Sequence, residues 1–340
     1  GNRAVRLCRR QTGVSPQLVD ERRLLPPIDL AFQGTLRPYQ EAAVAAVLAH
    51  SFGVLEASTG SGKTVMALAV LARRSQPTLV LVHTRELMQQ WRERIRQFLG
   101  IEAGQAGDGK VELQPVTVAI VNTARKHLDT LVPLFGHIVS DECHRVPASM
   151  FTDTVTAFPA RYLLGLSATP FRRDSLDKVI GWFIGEHRVQ VDMAVLHQVG
   201  AVLRPKIFER ETGFRYRYND DYPRMIKALT EDRARNEIIA EDIRQQARQG
   251  RTTLVVSDRV AHLERLSELA GVTSARILTG QVSKNERQEI VADLQAGKVT
   301  VLYSTLSLIA EGFDCHGLDS LLITSPIKFS GRLKQVVGRV

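Results

Sequence analysis

The sequence predicts an α/β protein made of parallel sheets covered by helices, in two successive units. Three observations carry this. Short runs rich in Val, Ile and Leu alternate with stretches of helical apolar spacing, the pattern of strands joined by crossover helices. The alternation stops between about residues 181 and 229 and then resumes. Finally, 340 residues suit about two domains at roughly 150 residues each.

Taken in order, the first series places strands at 54–57, 78–82, 116–121, 137–140 and 162–167. Between them, residues 85–99 set Leu87, Trp91, Ile95 and Leu99 at steps of four, a helical stripe. The second series places strands at 253–257, 276–278, 299–303 and 320–324. Its first helix, 259–270, carries Val260, Leu263 and Leu266 on one face. In the middle, Phe-Arg-Tyr-Arg-Tyr at 214–218 alternates aromatic and basic residues. It reads as an edge strand with a solvated basic face, in preference to a nucleic-acid contact. The hinge is placed in this middle stretch. No short-period repeat or low-complexity tract is visible.

Composition narrows the class. With 44% hydrophobic and 24% charged residues, the chain is neither disordered, collagen-like nor a disulfide-stapled miniprotein. No apolar run approaches the ~20 residues that span a bilayer. Residues 1–10 are basic but lack a signal peptide's apolar core. The missing initiator Met suggests a processed, engineered or incomplete chain. A net charge of +9 and a pI near 9.7 favour a polyanionic partner, either nucleic acid or an anionic membrane. The 35 arginines against ten lysines suit phosphate contacts and fit a GC-rich genome equally well. Cys8, Cys143 and Cys315 form no CxxC pair, which points to a reducing compartment.

The chemistry begins at Ala57, where Ala-Ser-Thr-Gly-Ser-Gly-Lys-Thr follows an apolar strand and runs into a helical stretch. This is a phosphate-binding loop in its proper context, with Ala in place of the usual first Gly. Glycines let backbone N–H groups face phosphates, and the helix N-terminus adds partial positive charge. Ser58, Thr59, Gly60, Ser61 and Gly62 form the cradle, Lys63 reaches the β- and γ-phosphates, and the Thr64 hydroxyl binds Mg²⁺. About eighty residues later Asp141 and Glu142 follow the strand at 137–140. One carboxylate there can hold Mg²⁺ and the next can orient the attacking water. Cys143-His144 and Cys315-His316 lack zinc-ligand spacing, so Mg²⁺ is the only metal expected.

Further motifs surround these. Thr-Leu-Arg-Pro-Tyr-Gln at 35–40, the phosphate loop, Val-His-Thr-Arg-Glu-Leu at 82–87, Asp-Glu-Cys-His at 141–144 and Ser-Ala-Thr-Pro at 167–170 are followed by Ser-Thr at 304–305, Glu-Gly-Phe-Asp at 311–314 and Gln-Val-Val-Gly-Arg at 335–339. In this order the series resembles the superfamily 2 DEAD/DEAH-like helicases over nearly all of 35–340. The chain is most similar to the branch holding XPB-like helicases, UvsW-like helicases and type III restriction motor subunits, through Leu-Arg-Pro-Tyr-Gln, Arg-Arg-Asp at 172–174 and Glu-Gly-Phe-Asp. The Cys at the third place of the 141–144 motif departs from the DEAD-box pattern and weakens an RNA-remodelling reading.

The resemblance implies two tandem RecA-like domains with ATP between them. Gln40 would read adenine with support from Arg37. Gly312 and Asp314 would approach the nucleotide from the second domain, and Gln335 with Arg339 would face the γ-phosphate. Ser167 and Thr169 would couple the ATP site to a nucleic-acid track formed by Thr84, Arg85, Thr123, Thr279, Gly280 and Thr305. Small hydroxyls and amides suit phosphate contacts, and with 6% aromatics extensive base stacking is not the expected mode. Simpler readings stand beside these: Gln40 as a solvated helix start, Thr84, Thr123 and Thr169 as caps, and Arg339 as a surface arginine.

The expected division is a basic segment 1–33, read as the tail of an upstream domain, a first domain 34–200, a connection 201–229 and a second domain 230–340. The last motif continues Gly-Arg-x-x-Arg in the family, so the second domain's closing elements are expected beyond Val340, and the chain as it stands is expected to be an impaired ATPase. The expected function is an ATP-dependent DNA helicase or double-strand translocase, with ATP and Mg²⁺ as cofactors and DNA ahead of RNA as partner. The alternatives are a motor subunit of a restriction, defence or repair complex beside a nuclease, an RNA helicase, and an ATP-gated clamp without turnover. No membrane partner is expected. The expected location is cytoplasmic, nucleoid-associated in a prokaryote or nuclear in a eukaryote.

Overall fold

Nearly every apolar run becomes a strand, and all neighbouring strands but one pair run parallel. The computed structural model describes residues 11, 13, 20–58, 60–142, 153–168, 184–185, 187–201, 205–310 and 317–327. The chain divides into two compact units, Gly1–Ala57 with Gly62–Val191 and Ser58–Ser61 with Asp192–Val340.

The first unit holds an eight-stranded sheet of β1 (Phe52–Glu56), β2 (Thr78–Val82), β3 (Gly104–Gly107), β4 (Lys110–Glu112), β5 (Val116–Ile120), β6 (His137–Ser140), β7 (Tyr162–Ser167) and β8 (Arg188–Gln190). Their spatial order is β4-β3-β5-β2-β6-β7-β1-β8. Every residue of β2 and β6 is buried, as a central parallel strand covered on both faces requires. The main helices are α1 (Pro38–Leu48), α2 (Lys63–Arg74) and α3 (Arg85–Leu99). α1 starts on Pro38 at its first position, where the missing N–H costs nothing. α3 is capped by Thr84 and closed by Gly100 at φ 66°; the stripe member Leu87 is less buried than Met88, Trp91, Ile95 and Leu99.

Residues 20–33 lie along this unit. Arg23 N–H donates to the Pro159 carbonyl at 2.7 Å, Ile28 N–H to Ser75 at 2.9 Å and Gln33 N–H to Phe98 at 2.7 Å. The Gln76 amide grips Leu25 from both sides, accepting its N–H at 2.9 Å and donating to its carbonyl at 3.0 Å.

The second unit holds β9 (Thr253–Ser257), β10 (Ala275–Leu278), β11 (Val301–Thr305) and β12 (Ser320–Ile323), all parallel in the order β10-β11-β9-β12. Its helices include α4 (Tyr222–Glu231), α5 (Arg233–Arg248), α6 (Val260–Ala270) and α7 (Lys284–Gln295). Strand alternation splits the core in two. Leu254, Val256 and Leu302 pack with Ile290 and Leu294 of α7. Val255, Val301 and Tyr303 pack with Ile239 and Ile243 of α5 and Leu263 and Leu266 of α6.

Three expectations need correction. Residues 214–218 are not an edge strand: Phe214 and Tyr216 are half-buried while Arg215, Arg217 and Tyr218 are exposed, and Phe214 stacks on Tyr216 at 6.4 Å, but among the described residues no ladder partner pairs with them. β11 starts two residues later than expected, because Val299 is buried ahead of the strand rather than in it. The short strands β3, β4 and β8 were not anticipated.

Candidate nucleotide site

Because the strands are parallel, their C-terminal ends share one edge of the sheet, where ligands of such folds bind. In register, Glu56 of β1 stands beside Ser167 of β7, and Ser140 of β6 beside Gly165. Ala57 N–H donates to the Ser167 carbonyl at 3.1 Å, and Asp141 N–H to the Leu81 carbonyl at 2.9 Å. The phosphate loop, Ser167 and the acidic pair therefore leave the same edge of one sheet.

Gly60 and Gly62 have φ of 82° and 83°, left-handed values that glycine adopts without penalty. The turn between them is held by Ser61, fully buried, whose hydroxyl donates to the Ser58 carbonyl at 2.7 Å. Lys63 opens α2 with its Nζ bonded to the Ala57 carbonyl at 2.8 Å, and half-buried Thr64 follows. Gln40 lies on this loop: a Cβ on Gly62 would fall 2.5 Å from its Nε2. Its Oε1 accepts the Arg37 N–H at 2.9 Å. Gln40 is thus buried against the phosphate loop and closes the first turn of α1, while Arg37 is exposed beside it.

Asp141 is 7% exposed. Its Oδ2 accepts the Trp91 indole N–H at 2.8 Å and its Oδ1 accepts the Glu142 backbone N–H at 2.9 Å. Burial, then the neighbouring Glu142 carboxylate, push its pKa up to about 6, against the Trp91 bond and the Lys63 charge. Glu142 has φ of 47°, an uncommon conformation for a residue with a side chain, of the kind that clusters at functional sites.

The donors suit magnesium. A carboxylate has about four lone-pair positions, and the two bonds to Asp141 leave acceptor capacity on each oxygen. Asp141 and the Thr64 hydroxyl are hard oxygen donors, and Mg²⁺ takes few protein ligands because phosphates and water supply the rest. Among the described residues no group of three or more His, Cys, Asp or Glu could hold an ion.

The residues expected along a nucleic-acid track fall on both units. Thr84 is the N-cap of α3, accepting the Leu87 N–H at 3.2 Å. Arg85 pairs with Asp108, and Thr123 is half-buried in the short helix Val121–Lys126. In the second unit Thr279 follows β10, its hydroxyl accepting the Gln281 N–H at 3.4 Å, and exposed Gly280 is next. Thr305 ends β11 opposite Ser257, so Thr279, Gly280 and Thr305 leave the C-terminal edge of the second sheet. Thr59, Thr169, Gly312, Asp314, Gln335 and Arg339 lie outside the described residues, as do Cys143, His144, Cys315 and His316.

Sequence reasoning missed two participants. Trp91 counted only as a stripe member; a buried tryptophan whose N–H needs a partner was the available signal. Glu56, just before the loop and 6% exposed, pairs with Arg188 of β8 at 3.3 Å; an acid ending an otherwise apolar strand was the clue.

Two family descriptions match the chain: "Type III restriction enzyme, res subunit" over residues 33–172 and "Helicase conserved C-terminal domain" over 234–340. "Probable helicase D10" of Escherichia phage T5 is 27% identical over 340 residues, covering 96% of this chain and 72% of its own length. "DNA 3'-5' translocase XPB2" of Sulfurisphaera tokodaii is 25% identical over 343 residues, covering 90% and 78%. "DNA 3'-5' helicase XPB" of Kineococcus radiotolerans is 29% identical over 297 residues, covering 81% of this chain and 51% of that protein.

Proposed function

Because the chain belongs to the superfamily 2 helicases and is similar to XPB helicases and type III restriction motor subunits, we propose that it is an ATP-dependent DNA helicase or double-strand DNA translocase. The observation that carries the chemical part is the shared edge: the phosphate loop and an oriented, buried Asp141 leave the same sheet through strands held in register by β7.

In this reading Ser58 to Gly62 present backbone N–H groups to the phosphates, and Lys63 exchanges its bond to Ala57 for the β- and γ-phosphate oxygens. Thr64 and Asp141 would hold Mg²⁺, which would supply neutralisation of charge on the triphosphate. Glu142, held in its left-handed backbone conformation, orients the attacking water. Gln40, packed on the loop, reads the base, with Arg37 beside it. In the same reading Gly312, Asp314, Gln335 and Arg339 meet this nucleotide from the second domain, and Ser167 and Thr169 serve coupling. An arginine offered to the γ-phosphate stabilises the transferring phosphoryl only when the domains close, which ties hydrolysis to the grip on a strand. Thr84, Arg85, Thr123, Thr279, Gly280 and Thr305 form that grip. The proposed division of labour is a first domain over 34–200 and a second over 230–340, in a reducing, DNA-containing compartment.

An ATPase titration without nucleic acid and with single strands, duplex DNA and duplex RNA tests this, at fixed salt because phosphate contacts are salt-dependent. DNA should stimulate turnover most. Lys63→Ala should abolish it, and Glu142→Gln should leave ATP bound but uncleaved; full turnover in either variant sinks the mechanism. Stimulation by RNA alone would make the chain an RNA helicase. Nucleotide-dependent DNA binding without phosphate release would make it a clamp. The match to a type III restriction subunit favours one further reading, a motor serving a nuclease complex, for which co-purification of a nuclease is the measurement.

A further inference from the structure

The Trp91 indole is 1% exposed and comes from α3, while its N–H partner lies fifty residues further along the chain at the end of β6. Phe or Leu would fill an apolar pocket between helix and sheet. Tryptophan adds one donor, and here that donor goes to the carboxylate of Asp141. A buried indole N–H needs such a partner, but the carboxylate gains more than the indole does. One oxygen is tied to its own backbone neighbour through the Glu142 N–H, and the other to a helix of the same unit. Two donors on two oxygens leave the carboxylate no free rotation about its Cβ–Cγ bond.

We propose that Trp91 is a positioning residue for the magnesium-binding carboxylate: its Nε1–H fixes the plane in which Asp141 meets the ion. This rests on the reading of Asp141 as a Mg²⁺ ligand. Partners of metal ligands govern affinity because they orient the ligand and set its basicity, and losing one typically weakens binding about 10–100-fold. Trp91 also sits two turns into a helix whose first residues, Thr84 and Arg85, belong to the proposed nucleic-acid grip, so the carboxylate is referenced to that helix as well as to its own strand.

The test is equilibrium binding of a fluorescent ATP analogue to the full chain, in EDTA and across a Mg²⁺ titration, for wild type, Trp91→Phe and Asp141→Asn. Phe keeps an aromatic ring and removes the N–H. The proposal expects unchanged affinity in EDTA and a Mg²⁺ midpoint at least about tenfold higher in Trp91→Phe, a split that a merely loosened fold would not produce. If Trp91→Phe keeps the wild-type midpoint while Asp141→Asn loses its Mg²⁺ response, the role of Trp91 is overturned and that of Asp141 stands. If Asp141→Asn responds like wild type, the ligand assignment fails and the proposal with it. Should circular dichroism show that Trp91→Phe does not fold, the benzothiophene isostere of tryptophan, with sulfur in place of N–H, replaces it. An unchanged midpoint in the isostere overturns the proposal, and a raised one supports it.

Discussion

His262 of α6 should give the second unit a defined loss of stability in acid, and the hydrogen bonds around it say how much. The Asn236 amide donates to the Thr230 carbonyl at 2.9 Å, so its oxygen faces His262 Nε2, also at 2.9 Å. Nε2 therefore carries the proton, and Nδ1 must accept from the Ser257 hydroxyl, again at 2.9 Å. The Ser257 oxygen in turn accepts the Arg259 N–H at 3.3 Å. A second proton on the ring would set donor against donor at Ser257. Burial, then the Arg235 and Arg265 charges, already hold the pKa down from 6.5 to about 4. The sign follows from proton counting. Between pH 6.5 and 4 the unfolded chain binds a proton that the folded chain refuses, so stability is full above 6.5 and is lost as pH falls towards 4. The gap corresponds to about 3 kcal/mol in all, of which about 2 kcal/mol is lost between pH 7 and pH 4.5. Urea unfolding of wild type and His262→Gln at those two pH values measures it. The variant should be less stable at pH 7, and its deficit should shrink by about 2 kcal/mol at pH 4.5. A deficit independent of pH, or a His262 ring resonance titrating near 6.5, would refute the lowered pKa and the neutral ring.

Three further outcomes are expected. Gly62→Ala combines a φ of 83° with a Cβ 2.5 Å from Gln40 Nε2; a left-handed Ala costs about 1 kcal/mol and Gln40 must move, so nucleotide affinity should fall about tenfold or more, read by fluorescent-nucleotide binding. Thr84→Ala removes the cap of α3 and should cost about 1 kcal/mol in urea unfolding, with Thr84→Ser restoring most of it. Arg74 is half-buried among neutral partners, bonded to the Val47 and His50 carbonyls at 3.3 and 2.8 Å and to His137 Nε2 at 2.9 Å, with its guanidinium 4.4 Å from the Tyr162 ring centre. Arg74→Met should lower stability by about 3 kcal/mol or more, and Arg74→Lys should not rescue it, since one ammonium cannot reproduce a planar fork; thermal unfolding decides.

What could be read in advance followed the strength of the local signal. Strands 78–82, 137–140, 162–167 and 253–257 and helix 85–99 have the predicted bounds because dense apolar runs and strict spacing leave little else for the chain to do. Gly-Gln-Ala-Gly in β3 has no strand signature of its own; it is a strand because β5 offers it a parallel ladder. Arg188–Gln190 is three residues long and depends likewise on β1. Residues 214–218 show the reverse, a strand-like alternation of sequence for which the described residues supply no ladder partner. At the candidate site, the placing of Lys63 and Thr64 at a helix start and of Asp141 and Glu142 after a strand was legible because loops and strand ends are local facts. The Trp91–Asp141 bond joins residues fifty apart, and no periodicity encodes such a meeting.

The strand order has a consequence for how the protein comes into being. β1 carries the phosphate loop, yet its ladder partners are β7 and β8, residues 163–167 and 188–190. A chain emerging N-terminus first makes this loop early, then must wait more than a hundred residues for the strands that hold it. Pairings so distant in sequence form slowly, and an unpaired edge is exposed in the interval. ATP binding should therefore appear late in synthesis, after Gln190 is free to dock. A nascent chain stopped before β7 would contain the whole phosphate-loop sequence and lack the strands that give it shape.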